Sequence, residues 1–288
     1  MKLSIVTVNL NNRDGLQKTI DSVICQTFHD LEWIVIDGGS TDGSRELIEQ
    51  YSDHFAYWVS EPDKGIYNAM NKGIRVTHGD YLLFLNSGDW LYKDNVLESV
   101  FLNNPTEDFV YCDDGGSKGV IADGGSPSVI DFRFLYTYTI CHQTIFHNRR
   151  VFDAGLYDER YKIVADWKLL YQHIIKNNAT YRKLNILLCV LQEGTSYDES
   201  RTEIERKSVL NEFYSHYELE FIEKNLYPPK THRYKLLSII KNWFKKKIIA
   251  RNKYNNIPRE AWKSNIEFSN ANYVDWNTGD EIIIAPRK

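Results

Sequence analysis

Polar, glycine-rich segments follow apolar runs at three places in the first ninety residues. They read VIDGGSTDGS at 35–44, SEPDKGIYNAMNKG at 60–73 and FLNSGD at 84–89. In open α/β sheets, ligands bind outside the carboxyl ends of the strands. Free backbone N–H groups and positive helix ends favour anions there. The three segments therefore predict one site for an anionic ligand.

The first segment places a carboxylate at a strand end. Asp37 can accept a hydrogen bond from an N–H group or a hydroxyl of the ligand. Thr7 and Asn9, at the end of the neighbouring strand, are expected to line the same pocket. The alternative is that Asp37 is an ordinary turn aspartate before Gly38 and Gly39.

The second segment combines a glycine with polar side chains at the start of a predicted helix. Gly65 lets the backbone begin the helix close to a ligand, and Asp63 offers an acceptor. Lys64 or Lys72 is placed to meet a phosphate, and the amide of Asn71 is suited to orient sugar or phosphate oxygens. The alternative is a capped amphipathic helix with solvated lysines.

Alternating strands and helices must position these residues. Short apolar, β-rich runs at 3–8, 32–36, 57–59 and 81–85 are separated by helical patterns, which predicts a parallel, three-layer sheet. Beyond Asp89 the pattern loosens. The later segments predicted are helices at 95–102 and 166–176 and strands near 109–112, 120–121, 144–147 and 186–190.

The ordered set of motifs resembles one known family. SIVTVNLNN, VIDGGSTDGS, EPDKGIYNAMNKG and FLNSGD, then HQ at 142–143 and ADW at 165–167, are similar to the family-2 glycosyltransferases of bacterial polysaccharide synthesis. The resemblance implies a GT-A fold, inversion at the anomeric carbon, and contact of Asp37 with the uracil or ribose of the donor. The implied nucleotide-sugar contacts are Thr7, Asn9, Asp37, Gly39, Asp63, Asn71, Lys72, Asn86, Ser87 and Gly88.

The segment Asn86-Ser87-Gly88-Asp89 stands where many relatives carry a DxD signature. In that signature two carboxylates hold a divalent cation against the donor diphosphate. Here Asn86 and Gly88 replace aspartates, so the resemblance implies that Asp89 holds Mn²⁺ or Mg²⁺ together with the phosphates. The alternative is that Asp89 caps the region of Asp94 or binds ribose.

Asp166 is the predicted catalytic base. It lies at a helix start, and the family has an acidic residue there that deprotonates the acceptor hydroxyl. The alternative is a helix cap without a catalytic role. The resemblance also implies that His142, Gln143 and Trp167 lie near the acceptor or donor sugar, although a lone histidine is equally compatible with a structural role.

Composition limits the function classes. The 288 residues have a net charge of −4, so no nucleic-acid partner is implied, and four scattered cysteines predict reduced, buried thiols in a cytoplasmic protein. No signal peptide is recognised, and no apolar run approaches the ~20 residues of a membrane span.

Eleven Lys or Arg and no acidic residue fall between 224 and 259. A basic amphipathic helix at 234–249 within this stretch predicts contact with a membrane surface, or else packing on the catalytic domain.

These observations predict an α/β protein with a GT-A catalytic domain at 1–200, divided into a nucleotide-binding half (1–90) and an acceptor half (91–200), and a helical extension at 201–288. The expected reaction moves a hexose or N-acetylhexosamine from a UDP-sugar to a saccharide acceptor, lipid-linked at the inner face of the cytoplasmic membrane. The alternatives are a GDP-sugar transferase, a nucleotidyltransferase, and a non-catalytic carbohydrate-binding protein.

Overall fold

The structure is a computed structural model that describes residues 1–116, 126–192 and 198–225 and two short strands at 273–274 and 281–282. The chain divides into two units, Met1–Phe221 and Ile222–Lys288. In the second unit, β9 (Tyr273–Val274) and β10 (Glu281–Ile282) pair antiparallel. The strand predicted at 120–121, the basic helix at 234–249 and most of 261–288 lie outside the described residues.

Four parallel strands form the first half of the main sheet. They are β1 (Leu3–Asn9), β2 (Leu31–Asp37), β3 (Tyr57–Ser60) and β4 (Tyr81–Phe84), in the order β3-β2-β1-β4. Strands β1 and β4 are buried along their whole length, as continuous apolar runs predict for parallel strands covered on both faces. The register aligns the last residues of β1 and β2, so their polar ends meet at one edge.

Three helices connect these strands: α1 (Arg13–Ile24), α2 (Ser44–Gln50) and α3 (Ile66–Val76). Helix α3 approaches β1 closely because it carries Gly73 at the contact. A Cβ atom at Gly73 would lie 2.5 Å from Cγ1 of Val6. Gly65, at the helix N-terminus, has a φ of 120°, a region that favours glycine. The packing therefore brings the start of α3 to the carboxyl end of β1.

The second half of the sheet is mixed. Strands β5 (Trp90–Leu91), β6 (Phe109–Asp114), β7 (Ile145–Asn148) and β8 (Tyr181–Val190) extend it as β4-β7-β6-β8-β5. Strand β7 runs antiparallel to β4 and β6, whereas β6 and β8 are parallel. Helices α4 (Val96–Phe101) and α5 (Phe132–Thr137) lie in this half. The α/β class and the parallel first half are confirmed.

The helix predicted at 166–176 has two parts. Helix α6 (Ala165–Leu170) continues as a π-helix over Tyr171–Lys176. Two more helices follow, α7 (Glu199–Phe213) and α8 (His216–Asn225). The ammonium group of Lys168 in α6 pairs with Asp158 and with Glu212 of α7. Because α7 is joined to α6 in this way, the first unit continues to residue 221, past the predicted boundary at 200.

The ion pair between α6 and α7 predicts a pH dependence of stability. Burial raises the pKa of Glu212, but hydrogen bonds from Lys168 and Tyr161 outweigh burial and lower it. A lowered folded-state pKa stabilises the protein above the ordinary glutamate value of about 4.3, and this contribution is lost as the pH falls through the folded-state value. We expect Glu212→Gln to cost about 1 kcal/mol at pH 7. The difference from wild type in urea unfolding should shrink towards pH 3; a pH-independent difference would contradict the assignment.

The four cysteines are free thiols. Cys112 and Cys189 are buried and Cys141 is half-buried. Burial raises the pKa of Cys141 to about 12, so this thiol stays protonated at neutral pH. The prediction that all four thiols are buried is wrong for Cys25, which follows the last residue of α1 and is exposed. Among the described residues, no helix has the length and apolar character to cross a bilayer.

Candidate active site

A cleft of about 470 Å³ opens at the carboxyl ends of β1 and β4. Two of the three polar segments, 60–73 and 84–89, contribute to its wall. The lining residues are Val8, Asn9, Leu10, Asn12, Asp63, Gly65, Ile66, Ala69, Asn86, Ser87, Asp89, Gln143 and Gln192. Six of the side chains selected from the sequence therefore converge on one cavity: Asn9, Asp63, Asn86, Ser87, Asp89 and Gln143.

Asp37 organises the loop after β2 and does not line the cleft. Its carboxylate is fully buried and accepts from the backbone N–H groups of Gly39 and Ser40. The hydroxyls of Ser40 and Ser60 and the amide of Asn9 also donate to it, at 2.6 Å each. Burial raises the pKa of Asp37, but these donors outweigh burial and lower it. In this structure Asp37 holds its own turn and orients Asn9, and its predicted contact with the nucleoside stays a prediction.

Thr7 and Gly39 also lie away from the cleft. The hydroxyl of Thr7 is fully buried and accepts from Nε1 of Trp33 at 3.0 Å, because this face of β1 packs on the core. Gly39 has a φ of 81° and lies against the backbone of Pro62. The structure therefore places Thr7 in the core and Gly39 in the turn that Asp37 holds.

The polar residues on α3 form hydrogen bonds and an ion pair with neighbouring segments of the same chain. Asn71 is buried and exchanges hydrogen bonds with the backbone of Tyr157, and its amide also donates to Glu159. Lys72 forms an ion pair with Glu61 at 2.8 Å. Neither side chain lines the cleft. In this structure both therefore stabilise the scaffold, and their predicted ligand contacts stay predictions.

Asp63 and Asp89 are the two carboxylates in the cleft wall. Oδ1 of Asp63 accepts from the backbone N–H of Gly65 at 2.8 Å, which fixes the turn into α3. Asp89 is buried, and its oxygens accept from the backbone N–H of Gln192 at 2.9 Å and from Nε2 of Gln143 at 3.0 Å. Burial raises the pKa of Asp89. These two hydrogen bonds, from Gln192 and Gln143, do not cap the region of Asp94, which was the alternative role for Asp89.

A divalent cation can bind at Asp89 in the cleft wall only if the phosphates of a nucleotide-sugar supply its other ligands. Asp89 alone represents the DxD carboxylates, since Asn86, Ser87 and Gly88 precede it. No group of three or more potential metal ligands occurs within the described residues. Magnesium is commonly bound by one or two carboxylates together with substrate phosphates. Asp89 is therefore suited to a cation that arrives with a diphosphate.

Gln192 and Asn12 were not selected from the sequence. The amide nitrogen of Asn12 donates to Oε1 of Gln192 at 2.8 Å and to the backbone oxygen of Ser87 at 2.9 Å. Gly88 lies directly beneath, with a φ of 98°, and a Cβ atom there would fall 1.5 Å from Oε1 of Gln192. Glycine at position 88 therefore leaves room for the side chain of Gln192 at the end of the strand. Gln192 reaches Asp89 although the two residues are 103 positions apart in the sequence.

Asp166 and His142 form a hydrogen-bonded pair. Oδ2 of Asp166 lies 3.1 Å from Nδ1 of His142, and both side chains are at most 15% exposed. Oδ1 of Asp166 accepts from the hydroxyl of Tyr67 at 2.8 Å and from the backbone N–H of Trp167 at 2.8 Å. Burial raises the pKa of Asp166, but His142 and Tyr67 outweigh burial and lower it. Asp166 is thus a buried anion, in the first turn of α6.

Tyr67 keeps its proton. Burial and the charge of Asp166 raise its pKa well above the ordinary value. Its hydroxyl lies 2.7 Å from the backbone oxygen of Ile163 as well as 2.8 Å from Asp166. Tyr67 therefore links α3, which borders the cleft, to the start of α6.

Asn86 connects the pair to the cleft. Its Nδ2 lies 3.0 Å from Nε2 of His142, and Asn86 itself lines the cavity. The side-chain amide oxygens (Oδ1) of Asn86 and of Asn9 are buried and have no hydrogen-bond partner among the described residues. Buried unpaired acceptors are rare in folded proteins, so both are suited to accept from a ligand.

Glu205 is another residue that the sequence did not indicate. Its carboxylate accepts from the backbone N–H groups of Lys162, Ile163 and Val164 at 3.0, 2.9 and 3.3 Å. Arg201 pairs with it at 3.0 Å, one turn earlier in α7. Glu205 thus holds the segment that leads into α6 and Asp166.

Trp167 is a core residue. Its ring is 1% exposed, and its Nε1 donates to the backbone oxygen of Leu135 at 2.6 Å. The guanidinium of Arg206 lies 4.8 Å from its ring centroid. In this structure the large apolar ring of Trp167 packs inward, and its expected contact with a sugar stays a prediction.

The sequence and fold are similar to those of known proteins. The family described as "Glycosyl transferase family 2" matches residues 4–112. A "PGL/p-HBAD biosynthesis glycosyltransferase" of Mycobacterium bovis is 34% identical over 171 residues, which is 57% of this chain and 66% of that protein. The "Glycosyltransferase GlyA" of Streptococcus pneumoniae is 33% identical over 97 residues, 33% of this chain and 14% of the relative. The chain thus aligns with slightly less than two thirds of the mycobacterial protein.

Two solved structures share the fold. TarS of S. aureus, residues 1–349 in complex with UDP-GlcNAc, has a TM-score of 0.57 at 18% identity, covering 70% of this chain and 61% of TarS. The mannosyltransferase PcManGT from Pyrobaculum calidifontis, in complex with GDP-Man and Mn²⁺, has a TM-score of 0.52 at 15% identity over 68% of this chain and 58% of PcManGT. These neighbours confirm the expected GT-A architecture.

Proposed function

From the match of residues 4–112 to the family described as "Glycosyl transferase family 2", we propose that the chain transfers a sugar from a nucleotide donor to a hydroxyl of a saccharide. The observation that carries the proposal is the pairing of an open polar cleft with a buried anionic centre. The cleft offers amide and carboxylate side chains for a nucleotide, including Asp63 and Asn86. The hydrogen-bonded pair of Asp166 and His142 supplies a basic centre, which Asn86 connects to the cleft.

We propose an inverting displacement. The acceptor oxygen attacks the anomeric carbon while the bond to the donor phosphate breaks on the opposite face. A neutral hydroxyl is a poor nucleophile, so the basic centre must take its proton, a contribution that typically accelerates reactions by about 10²–10⁴-fold. The negative charge of Asp166 stabilises the proton within the pair.

For the donor, we propose a UDP-linked hexose or N-acetylhexosamine. The complex of TarS with UDP-GlcNAc supports this choice at the level of the fold. Asp63 and Asn9 are the proposed nucleoside contacts, because both line the cleft at the end of β1. Asp89 is proposed to hold Mn²⁺ or Mg²⁺, which would neutralise charge on the leaving diphosphate.

For the acceptor, we propose a saccharide carried on a lipid at the inner face of the cytoplasmic membrane. The name of the mycobacterial relative, a PGL/p-HBAD biosynthesis glycosyltransferase, supports a glycan-forming role. The basic, amphipathic sequence at 234–249 supports contact with anionic lipid at ~1 kcal/mol per Lys or Arg.

Calorimetric titration tests the donor proposal. Purified protein is titrated with UDP, GDP and CMP, each with and without Mn²⁺. We expect UDP to bind in the range of about 1–100 μM, at least tenfold more tightly with Mn²⁺ than without. An Asp89→Asn variant is expected to lose the effect of Mn²⁺, whereas Asp153→Asn, at an exposed position, serves as the matched control.

The same titration separates the alternatives. PcManGT in complex with GDP-Man and Mn²⁺ is the observation that favours a GDP-sugar, and preference for GDP would select that donor class. Binding of saccharide without any nucleotide would contradict the transferase and support a carbohydrate-binding protein. Release of pyrophosphate from a nucleoside triphosphate would support a nucleotidyltransferase.

A further inference from the structure

Side-chain amides form much of the polar surface of the cleft, and the five that line it are Asn9, Asn12, Asn86, Gln143 and Gln192. In the described part of the chain, the lining also includes two carboxylates, Asp63 and Asp89, but no lysine, arginine or histidine side chain. An anionic ligand such as a diphosphate must therefore be held by N–H groups and by any cation that accompanies it. Each amide can supply two N–H donors.

Four of the five NH₂ groups already face partners within the protein. They are the groups of Asn9 towards Asp37, Asn12 towards the backbone oxygen of Ser87, Asn86 towards Nε2 of His142, and Gln143 towards Asp89. Gln192 differs, because its side chain is exposed and no described residue accepts from its Nε2. Its NH₂ group is therefore available to a ligand.

Two contacts fix the orientation of the Gln192 amide. The backbone oxygen of Ser87 can only accept, so the part of the Asn12 amide that lies 2.9 Å from it is the NH₂ group. The second hydrogen of this NH₂ group meets Gln192 at 2.8 Å, and the atom of Gln192 at this contact must be the oxygen. The nitrogen of the Gln192 amide is thus the end that Asn12 leaves unused.

Two glycines leave room for this pair of amides. A Cβ atom at Gly15 would lie 2.3 Å from Nδ2 of Asn12, and a Cβ atom at Gly88 would lie 1.5 Å from Oε1 of Gln192. Any other residue at either position would displace an amide. Gly15 lies inside α1, where glycine is less favourable than alanine. The sequence thus has glycine at both points where a side chain would disturb the pair.

The available NH₂ group belongs to a residue that also contacts Asp89. The backbone N–H of Gln192 donates to Oδ1 of Asp89 at 2.9 Å. A diphosphate that arrives with a cation at Asp89 therefore binds on the side of the cleft where Gln192 lies. An N–H donor gains most from an ionised acceptor, because charge-assisted hydrogen bonds are stronger than neutral ones.

We propose that Nε2 of Gln192 donates to an oxygen of the donor diphosphate and stabilises the negative charge that develops there as the sugar leaves. The inference rests on the proposed function and adds a residue for its leaving group. The acceptor oxygen forms the bond to the anomeric carbon, and its proton passes to the basic centre. The anomeric C–O bond breaks, and its electron pair stays on the diphosphate. Gln192 keeps its protons throughout.

Calorimetric titration without a metal ion tests the contact. UDP and uridine are titrated into wild type, Gln192→Met and Gln192→Glu in buffer with EDTA, so that metal coordination does not contribute. Methionine has a side chain of similar length without a donor, and we expect it to weaken UDP binding about tenfold. Glutamate still accepts from Asn12 but turns a negative charge to the phosphates, so its loss should be larger. Uridine has no phosphate and should bind all three proteins equally.

Gln50→Glu is the matched control, because Gln50 is exposed at the last residue of α2. It makes the same change of charge and should leave UDP binding unchanged. Urea unfolding checks that each variant is folded. Equal affinity of wild type and Gln192→Met for UDP would overturn the proposal. A loss of the same size for uridine would also overturn it, because Gln192 would then contact the nucleoside.

A double-mutant cycle tests whether Asn12 positions the amide. Asn12→Ala allows the Gln192 amide to rotate, and we expect weaker UDP binding with unchanged uridine binding. In the Gln192→Met background the same substitution should have no further effect, because the donor is already absent. Additive losses would contradict a positioning role for Asn12.

The rate of UDP release tests stabilisation of the leaving group. The assay contains Mn²⁺, uses water as acceptor, and follows hydrolysis of UDP-glucose, UDP-galactose, UDP-GlcNAc and UDP-GalNAc. Removal of one preorganised donor typically lowers kcat by about 10²–10³-fold. We expect Gln192→Met to lose about 10²-fold in kcat, which is more than it loses in UDP affinity. An unchanged kcat would contradict the role in the transition state.

These experiments separate failure of this inference from failure of the proposed function. If wild-type protein binds no nucleotide, the proposed function is wrong and the inference falls with it. If wild type and the Gln192 variants bind UDP equally well, only the inference is wrong. If GDP binds in place of UDP, GDP and guanosine replace UDP and uridine with the same expectations. If none of the four donors is consumed, the titrations alone decide whether Gln192 contacts the diphosphate.

Discussion

Replacing Asp166 with Asn is expected to reduce sugar transfer by about 10²–10⁴-fold while leaving UDP binding within about twofold of wild type. The substitution preserves the shape of the side chain, so an amide oxygen can still accept from Tyr67 and from the backbone N–H of Trp167. It removes the negative charge that faces Nδ1 of His142 at 3.1 Å. The basic centre then loses the group that stabilises a transferred proton. Asp166 does not line the cleft, and nucleotide affinity should therefore survive.

The measurements are UDP release from a UDP-sugar and calorimetric binding of UDP, on the same preparations. Asp153→Asn removes a carboxylate from an exposed position and is the control for the change of net charge. Transfer at the wild-type rate by Asp166→Asn would show that this carboxylate has no role in catalysis. Loss of UDP binding together with transfer would instead place Asp166 in the donor site.

Replacing Glu205 with Ala is expected to lower the free energy of unfolding by about 2–4 kcal/mol. The carboxylate accepts hydrogen bonds from three consecutive backbone N–H groups, at 162–164. Alanine would leave these three donors without their acceptor. A buried donor that loses its partner costs about 1–3 kcal/mol, and water entering the gap would recover part of this. Since the same segment leads directly into α6, we also expect the transfer rate to fall.

Glu203→Ala is the matched control, because Glu203 lies on the same helix but is exposed. Urea unfolding measures the stability of both variants, and amide hydrogen exchange reports on residues 162–164 individually. Faster exchange confined to these amides in Glu205→Ala would support the assignment. Equal stability of the two variants would show that the three hydrogen bonds contribute nothing measurable.

The parallel half of the sheet could be predicted because each strand is marked locally. Continuous apolar runs such as 3–8 and 81–85 indicate buried parallel strands, and the helical spacing between them indicates the crossovers. The sequence also indicated which strand ends are polar. The mixed half was less predictable, since β7 and β5 are short and pair antiparallel with strands distant in sequence.

The site was predicted in part, for a physical reason. Motifs identify where the chain is polar and close to a strand end, which located Asp63, Asn86 and Asp89 in the cleft. Side-chain direction depends on neighbours that periodicity does not reveal. Asp37 points into its own turn, and Thr7 points to the indole of Trp33.

The supporting residues were not predictable because their partners are far away in sequence. Tyr67 reaches Asp166 across 99 residues, and Gln192 reaches Asp89 across 103. Glu205 lies on a helix whose sequence has no clear apolar stripe, so nothing local distinguished it from solvated glutamates nearby. Only the folded arrangement shows which of these polar groups is paired.

The hydrogen bonds from 162–164 to α7 have a consequence for where related sequences can recombine. The residues matched by the family, 4–112, end well before the basic centre and the helix that supports it. We therefore expect residues 157–213 to be inherited together, as one exchangeable block, because the carboxylate of Glu205 holds the segment that leads into α6. A crossover between Asp166 and Glu205 would join the start of α6 to a foreign helix. Natural and laboratory chimaeras that remain active should have their junctions outside this block.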